Sequence, residues 1–347
     1  MPLTRIESAA IADTRGVNFR NIIINGDMSV AQRGTSETGI TSTGYHTVDR
    51  FRTAMSSLGT FTQSQDSDVP SGKGFATSLK MDCTIADASP AAGDYLIFQQ
   101  LFEGQNLQYL KKGTANAESL TLSFWVKSSK TGTYIVEFYD YNNTRSISKS
   151  YTINTTDTWE KKTITFAGDT TGALNNDNAK TFECNFWLGA GSTYTSGTLQ
   201  TSWGSQTNAN RAVGQVNLAD STDNDWYITG VQLEAGISES DFEFLPVDVN
   251  LQRCKRYYNE LISSGNNVFF HMISDSGTFR RQSFSLNPRM RATPTVTITG
   301  DTSGTFASGS PTTESATDNK MLLLKGDVVS STGTYSYIQN LIADAEL

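Results

Sequence analysis

Histidine is almost missing from this chain of 347 residues: only His46 and His271 occur. A multi-histidine metal centre is thereby excluded, and a histidine-based catalytic triad has little to draw on. Cysteine is as sparse. Cys83, Cys184 and Cys254 are scattered, odd in number and form no C-x-x-C pair. That disfavours a zinc ribbon or a disulfide framework and predicts buried free thiols. Charged residues make up only 18 % of the chain, and the balance is acidic, −8 from 27 basic and 35 acidic side chains. A dedicated nucleic-acid binder would carry a basic face, so no nucleic-acid partner is expected. Long apolar runs are lacking too. Ile22–Ile24 and Met321–Leu324 are far too short to span a bilayer, and the segment after Met1 has no continuous apolar stretch of a secretory leader. No membrane insertion is expected. Walker loops, G-x-S-x-G elbows, H-E-x-x-H helices and dinucleotide fingerprints do not occur.

What the chain has is hydroxyls, glycine and aromatics. Ser and Thr supply nearly a quarter of the residues, beside 28 glycines and 10 % aromatics. This favours strands joined by turns. Residues 1–20 read as an arm, with a short Glu7–Asp13 segment that cannot hold a helix alone. Asn21–Ile24 reads as a short strand ended by the Asn25-Gly26-Asp27 turn signal. The clearest strand is Ser119–Ser128: Leu120, Leu122, Phe124 and Val126 share one face, and Thr121, Ser123, Trp125 and Lys127 the other. Thr131–Asp140 follows as its expected hairpin partner. Thr158–Phe166, Lys180–Leu188 and Trp226–Glu234 repeat the form. Val247–Leu261 carries the one helical stripe, after Pro246. Strand texture resumes from Val268, with Thr302–Asp318 expected as a loop. The reading is all-β: an antiparallel jelly-roll β-sandwich (21–246), one short junction helix (247–265) and a small C-terminal β domain (266–347).

Three side-chain sets are candidates for function. Trp125 and Trp187 each lie opposite the apolar face of their strands. On a non-core face they would form a platform for sugar rings, with Asn185, Ser123 and Lys127 bonding hydroxyls. The competing reading is that a loop or neighbouring subunit covers both rings. Asn25, Asp27 and Glu234 offer hard oxygens for a structural calcium ion. Arg253, Lys255 and Arg256 give the helix a basic face, either solvated or set against an acidic partner. Asp140, Asp169, Asp220, Asp223 and Asp225 read as turn and solvation residues.

The segments Asn25-Gly-Asp-Met-Ser-Val-Ala-Gln-Arg-Gly34, Val48-Asp-Arg-Phe51, Leu120–Lys127, Thr158-Trp159-Glu160 with Thr163–Phe166, and Ile228–Gly236 resemble the jelly-roll modules of phage tail-fibre and related virion proteins, similar to those of marine bacteriophages. Phe242–Tyr258 looks like their junction helix, and Pro288–Val296 like the small β domain that often follows. The resemblance implies a virion protein, made in the bacterial host cytoplasm, with a carbohydrate-binding-module-like jelly roll. It implies a short tail fibre that binds host surface polysaccharide without cleaving it. The alternative is a purely structural subunit, a head-projecting fibre, decoration or tail-attachment protein. Depolymerase tailspikes usually carry β-helix repeats, and no such period is visible, so the chain is expected not to be an enzyme. A homotrimer is expected, with the C-terminal domain at its axis, because so small a domain buries little surface alone. The arm would anchor the protein to other tail or head proteins, through Leu3, Ile6 and Ile11.

Overall fold

A computed structural model describes residues 19–263, 268–269, 273–275, 279–299, 312–317, 320–327, 337–338 and 340–347. The arm, with Leu3, Ile6 and Ile11, lies outside the described residues, as does His271. The sandwich is built from β1 (Ser36–Ile40), β2 (Phe51–Ser56), β3 (Thr60–Asp66), β4 (Ser78–Ile85), β5 (Tyr95–Glu103) and β6 (Leu120–Ser128). It continues with β7 (Gly132–Asp140), β8 (Arg145–Ile153), β9 (Glu160–Phe166), β10 (Lys180–Ala190), β11 (Gly204–Ser205) and β12 (Asp225–Ala235). One antiparallel sheet has the order β1-β3-β4-β12-β6-β9, the other β11-β8-β7-β10-β5-β2. This is the expected jelly-roll type of sandwich.

The alternation read from β6 and β10 holds. Leu122, Phe124, Val126, Cys184, Phe186 and Leu188 are all fully buried between the sheets. Aromatic contacts bridge the layers: Phe124 meets Phe186 edge-on at 5.1 Å, and Phe138 meets Phe166 at 4.6 Å. Such pairs add to the area term that drives sheet packing. All three cysteines are free and buried.

Several expectations are corrected. The strands β6 and β7 are not a hairpin: β6 pairs with β12 and β9, β7 with β10 and β8, in the opposite sheet. Asn21–Ile24 is not a strand. The Asn21 side chain takes the amide hydrogens of Ile23 and Leu233 and donates to the Val231 carbonyl, substituting for a ladder. Asp140 and Asp169 are buried rather than solvated. Lys112 pairs with both, and Arg145 grips Asp169 through two hydrogen bonds of 2.8 and 2.9 Å.

The helix is shorter than expected. It runs as α2 (Val247–Lys255), after a single turn α1 (Ser192–Thr195), and Tyr258–Ile262 forms β13 instead of its last turn. Tyr258 and Ile262 are needed in a three-stranded sheet whose middle strand is Asn340–Asp344 and whose far strand is Thr295–Thr299. Thr312–Thr317, expected as loop, is a strand paired with Met321–Asp327. The basic face of α2 is largely spent. Arg256 forms two hydrogen bonds to the buried Glu103, and Arg253 donates to the Asn21 carbonyl.

The same junction explains the Val48–Phe51 motif. Arg50 is 1 % exposed, lies 3.4 Å above the Tyr257 ring, donates to the Leu101 carbonyl and pairs with Glu346. Glu346 also meets Arg33 at 3.4 Å. Residues near the chain's last strand are thus tied by buried charge to the sandwich, and removing either partner would strand the other.

Candidate functional site

The structure separates the two tryptophans. Trp125, on β6, faces outward from one sheet, and Trp187, on β10, faces outward from the other, so they stand on opposite sides of the sandwich. A common platform is therefore ruled out. Ser123 and Lys127 belong with Trp125, and Asn185 with Trp187.

On the Trp125 side, Ser123 and Lys127 are buried. Lys127 pairs with Asp68 and lies 4.0 Å over the Tyr227 ring. Asp68 also accepts from Trp159 Nε1 at 2.9 Å. Burial pushes the Asp68 pKa up, but the bonds from Lys127 and Trp159 outweigh it and hold the carboxyl below its ordinary value. Trp125 itself is half-buried, with Lys73 over its ring. Lys127, Asp68 and Trp159 are committed to one another, while the Ser123 hydroxyl has no hydrogen bond among the described residues.

Asn25, Asp27 and Glu234 do not form one ligand set. Asn25 Oδ1 accepts the Val30 amide, Asp27 accepts from Ser29 and Asn250, and Glu234 is held by Ser240, Gln232 and Arg20. Among the described residues no cluster of three histidines, cysteines or acids is placed to hold a metal.

The Trp187 side differs. Trp187 has no exposed surface, and Ile97, Ile135, Ala54 and Ala212 pack around it as a second, smaller core outside the sheet. The segment after β10 folds over it and places Tyr194 5.3 Å from the indole, with Tyr95 edge-on to Tyr194 at 5.7 Å. Register explains the next row. Arg52 of β2 lies opposite Gln99 of β5, Gln99 opposite Asn185 of β10, and Asn185 opposite Glu137 of β7. Successive pleats thus set a polar row beside the apolar row Ala54, Ile97, Trp187, Ile135.

Glu137 is the hub and is fully buried. Arg211 Nε and Nη2 donate to its two oxygens at 2.7 and 2.8 Å, and Trp187 Nε1 and Asn185 Nδ2 donate at 3.2 Å each. The bidentate pair raises the pKa of Arg211 although its burial works the other way. Glu183 accepts from Asn185 and pairs with Lys180 at 3.1 Å.

A groove of about 210 Å³ opens on this face, lined among others by Arg52, Gln99, Glu183, Trp187, Tyr194 and Arg211. Part of its polar capacity is unspent. Arg52 has no hydrogen-bond or ion-pair partner among the described residues, nor has the Gln99 side chain a hydrogen bond, and Asn185 Oδ1 is buried without a donor. Arg52 and the Gln99 amide, which line the groove, are thus free to bond an outside partner. Sequence reasoning found Trp187 and Asn185 by alternation but missed Arg52, Gln99, Glu137, Tyr194 and Arg211. The Glu183-x-Asn185-x-Trp187 alternation was the available signal; the neighbouring strands lie far away in sequence.

The fold and groove define an all-β sandwich of jelly-roll type with one lidded, polar outer face. No family model matches the chain, and no curated protein sequence matches it. Solved structures that overlay on it include the enzymatically active domain of tailspike protein 4 of bacteriophage CBA120, at 16 % identity and a TM-score of 0.32, over 62 % of this chain. The match spans only 21 % of that protein chain. TmCBM61 in complex with β-1,4-galactotriose overlays at 8 % identity and 0.32, over 62 % of this chain and 99 % of its own. The family 11 carbohydrate-binding module of a cellulosomal cellulase of Clostridium thermocellum does so at 10 % and 0.29, over 58 % and 98 %. Scores this low say nothing about function.

Proposed function

We propose that this chain is a non-enzymatic phage virion protein, a short tail fibre, that binds host surface glycan through the groove on the Trp187 face. The observation that carries the reading is the open pair Arg52 and Gln99 beside the ring wall of Tyr95 and Tyr194. Sugars present hydroxyls around a ring with apolar C–H faces. A planar amide and a guanidinium next to aromatic side chains match both halves of that surface. At about 210 Å³ the groove suits a short stretch of glycan, so single-site affinity is modest. A homotrimer would then supply avidity. The resemblance of Asn25–Gly34 and Val48–Phe51 to virion jelly rolls supports the setting, with residues 1–20 as the anchoring arm.

The test is binding of the intact chain to a glycan array that includes polysaccharides of candidate hosts. Specific binding that Gln99→Ala abolishes, with unchanged melting temperature and no release of reducing ends, supports the reading. Absence of binding across the array favours a purely structural subunit. Release of reducing ends would make it an enzyme. Light scattering separately tests the trimer.

A further inference from the structure

The charges around the groove do not cancel. Glu137 is neutralised by Arg211 in a bidentate pair, and Glu183 by Lys180. Arg52 is left over: among the described residues no carboxylate lies within ion-pair distance of its guanidinium. It stands half-buried on the edge strand β2, beside Gln99 and within the groove lining. An arginine remains charged at any physiological pH, so the groove carries one uncompensated positive charge. The protein as a whole carries −8. Net charge of that sign repels polyanions, so a local cation facing a groove is a selective feature rather than part of a basic surface.

We propose that the glycan recognised at this groove is acidic, and that Arg52 pairs with its anionic substituent while Gln99 bonds the neighbouring hydroxyls. This rests on the glycan-binding reading and adds the chemical class of the ligand. The planar fork of Arg52 fits a carboxylate through two parallel hydrogen bonds, which points to a uronic acid; a sulfate ester offers the same oxygens in a tetrahedral array. A neutral glycan would offer the guanidinium hydroxyl oxygens but no countercharge.

The experiment uses the intact chain on an array of matched pairs. Each uronic acid polysaccharide is printed beside its carboxyl-reduced form, and each sulfated polysaccharide beside its desulfated form. The acidic member of at least one pair is expected to bind about tenfold more tightly than its neutral partner, the difference one charge-assisted hydrogen bond supplies. Preference within uronate pairs or within sulfate pairs identifies the source of the charge. The preference should weaken with added salt and vanish in Arg52→Gln. Arg52→Lys, which keeps the charge and loses the fork, should retain part of it. Lys73→Gln, on the opposite face, should change nothing. Equal binding to acidic and neutral members, or an Arg52→Gln variant with undiminished preference, overturns the acidic class while leaving glycan binding in place. No binding to either member of any pair overturns both.

Discussion

The two outer faces of the sandwich begin from the same kind of strand and end differently. On β6 the alternation sends Thr121, Ser123, Trp125 and Lys127 outward, and on β10 it sends Glu183, Asn185 and Trp187 outward. Around Trp125 most charged groups close on one another: Asp68 holds both Lys127 and Trp159, and Glu239 holds Lys161 and Thr163, with Lys73 set over the ring itself. Around Trp187 the ring is sealed under Tyr194 and Arg211, but the row beside it stays open. An outward-pointing aromatic is therefore not itself a binding platform. What matters is whether the polar groups next to it are already spent.

The largest expected difference between the faces is in packing. Trp187→Ala removes a fully buried ring and one donor to Glu137, and should cost about 3–5 kcal/mol of stability. Denaturant unfolding measures it; a loss under 1 kcal/mol would mean the lid over Trp187 is open in solution. Next comes Arg211→Met, which leaves the buried Glu137 without its countercharge. About 3 kcal/mol of destabilisation is expected, and Glu137→Gln in the same background should recover part of it. Trp125→Ala, at a half-buried site, should cost only about 1 kcal/mol. If it costs as much as Trp187→Ala, the contrast drawn between the faces is wrong.

The smallest effect sharpens the comparison through pH. The Asp68 carboxyl has its pKa lowered in the folded protein. Its contribution is therefore present above the unfolded value, about 3.9, and is lost as pH falls through the lower folded value. Asp68 is nearly half exposed, and solvent screening keeps the gain below about 1 kcal/mol. Asp68→Asn should flatten the difference in melting temperature between pH 7 and pH 3 by that small amount. An unchanged difference would assign the acid sensitivity to other carboxylates.

Much of the fold was legible because strand alternation is local. Leu122, Phe124 and Val126 had to share a face, and so did Cys184, Phe186 and Leu188, whatever the rest of the chain did. The turn-rich, hydroxyl-rich composition likewise set the all-β class. The errors arose where a local reading met a non-local partner. Tyr258 and Leu261 fit the helical stripe in sequence but were drawn into a strand beside Asn340–Asp344. Asp140 and Asp169 looked like turn acids and became buried once Lys112 and Arg145 reached them.

By itself the sequence determined the class of structure, the inward residues of the main strands, and the scarcity of histidine and cysteine. These depend on composition and on a period of two residues. Only the tertiary structure decided that β6 and β7 lie in different sheets, that Trp125 and Trp187 face opposite ways, and that Arg52, Gln99, Asn185 and Glu137 form one row. Those residues come from four strands, and their register is set by hydrogen bonds between segments as far apart as β2 and β10. No pattern within one segment encodes it, because pairing is chosen by the core and the loops together.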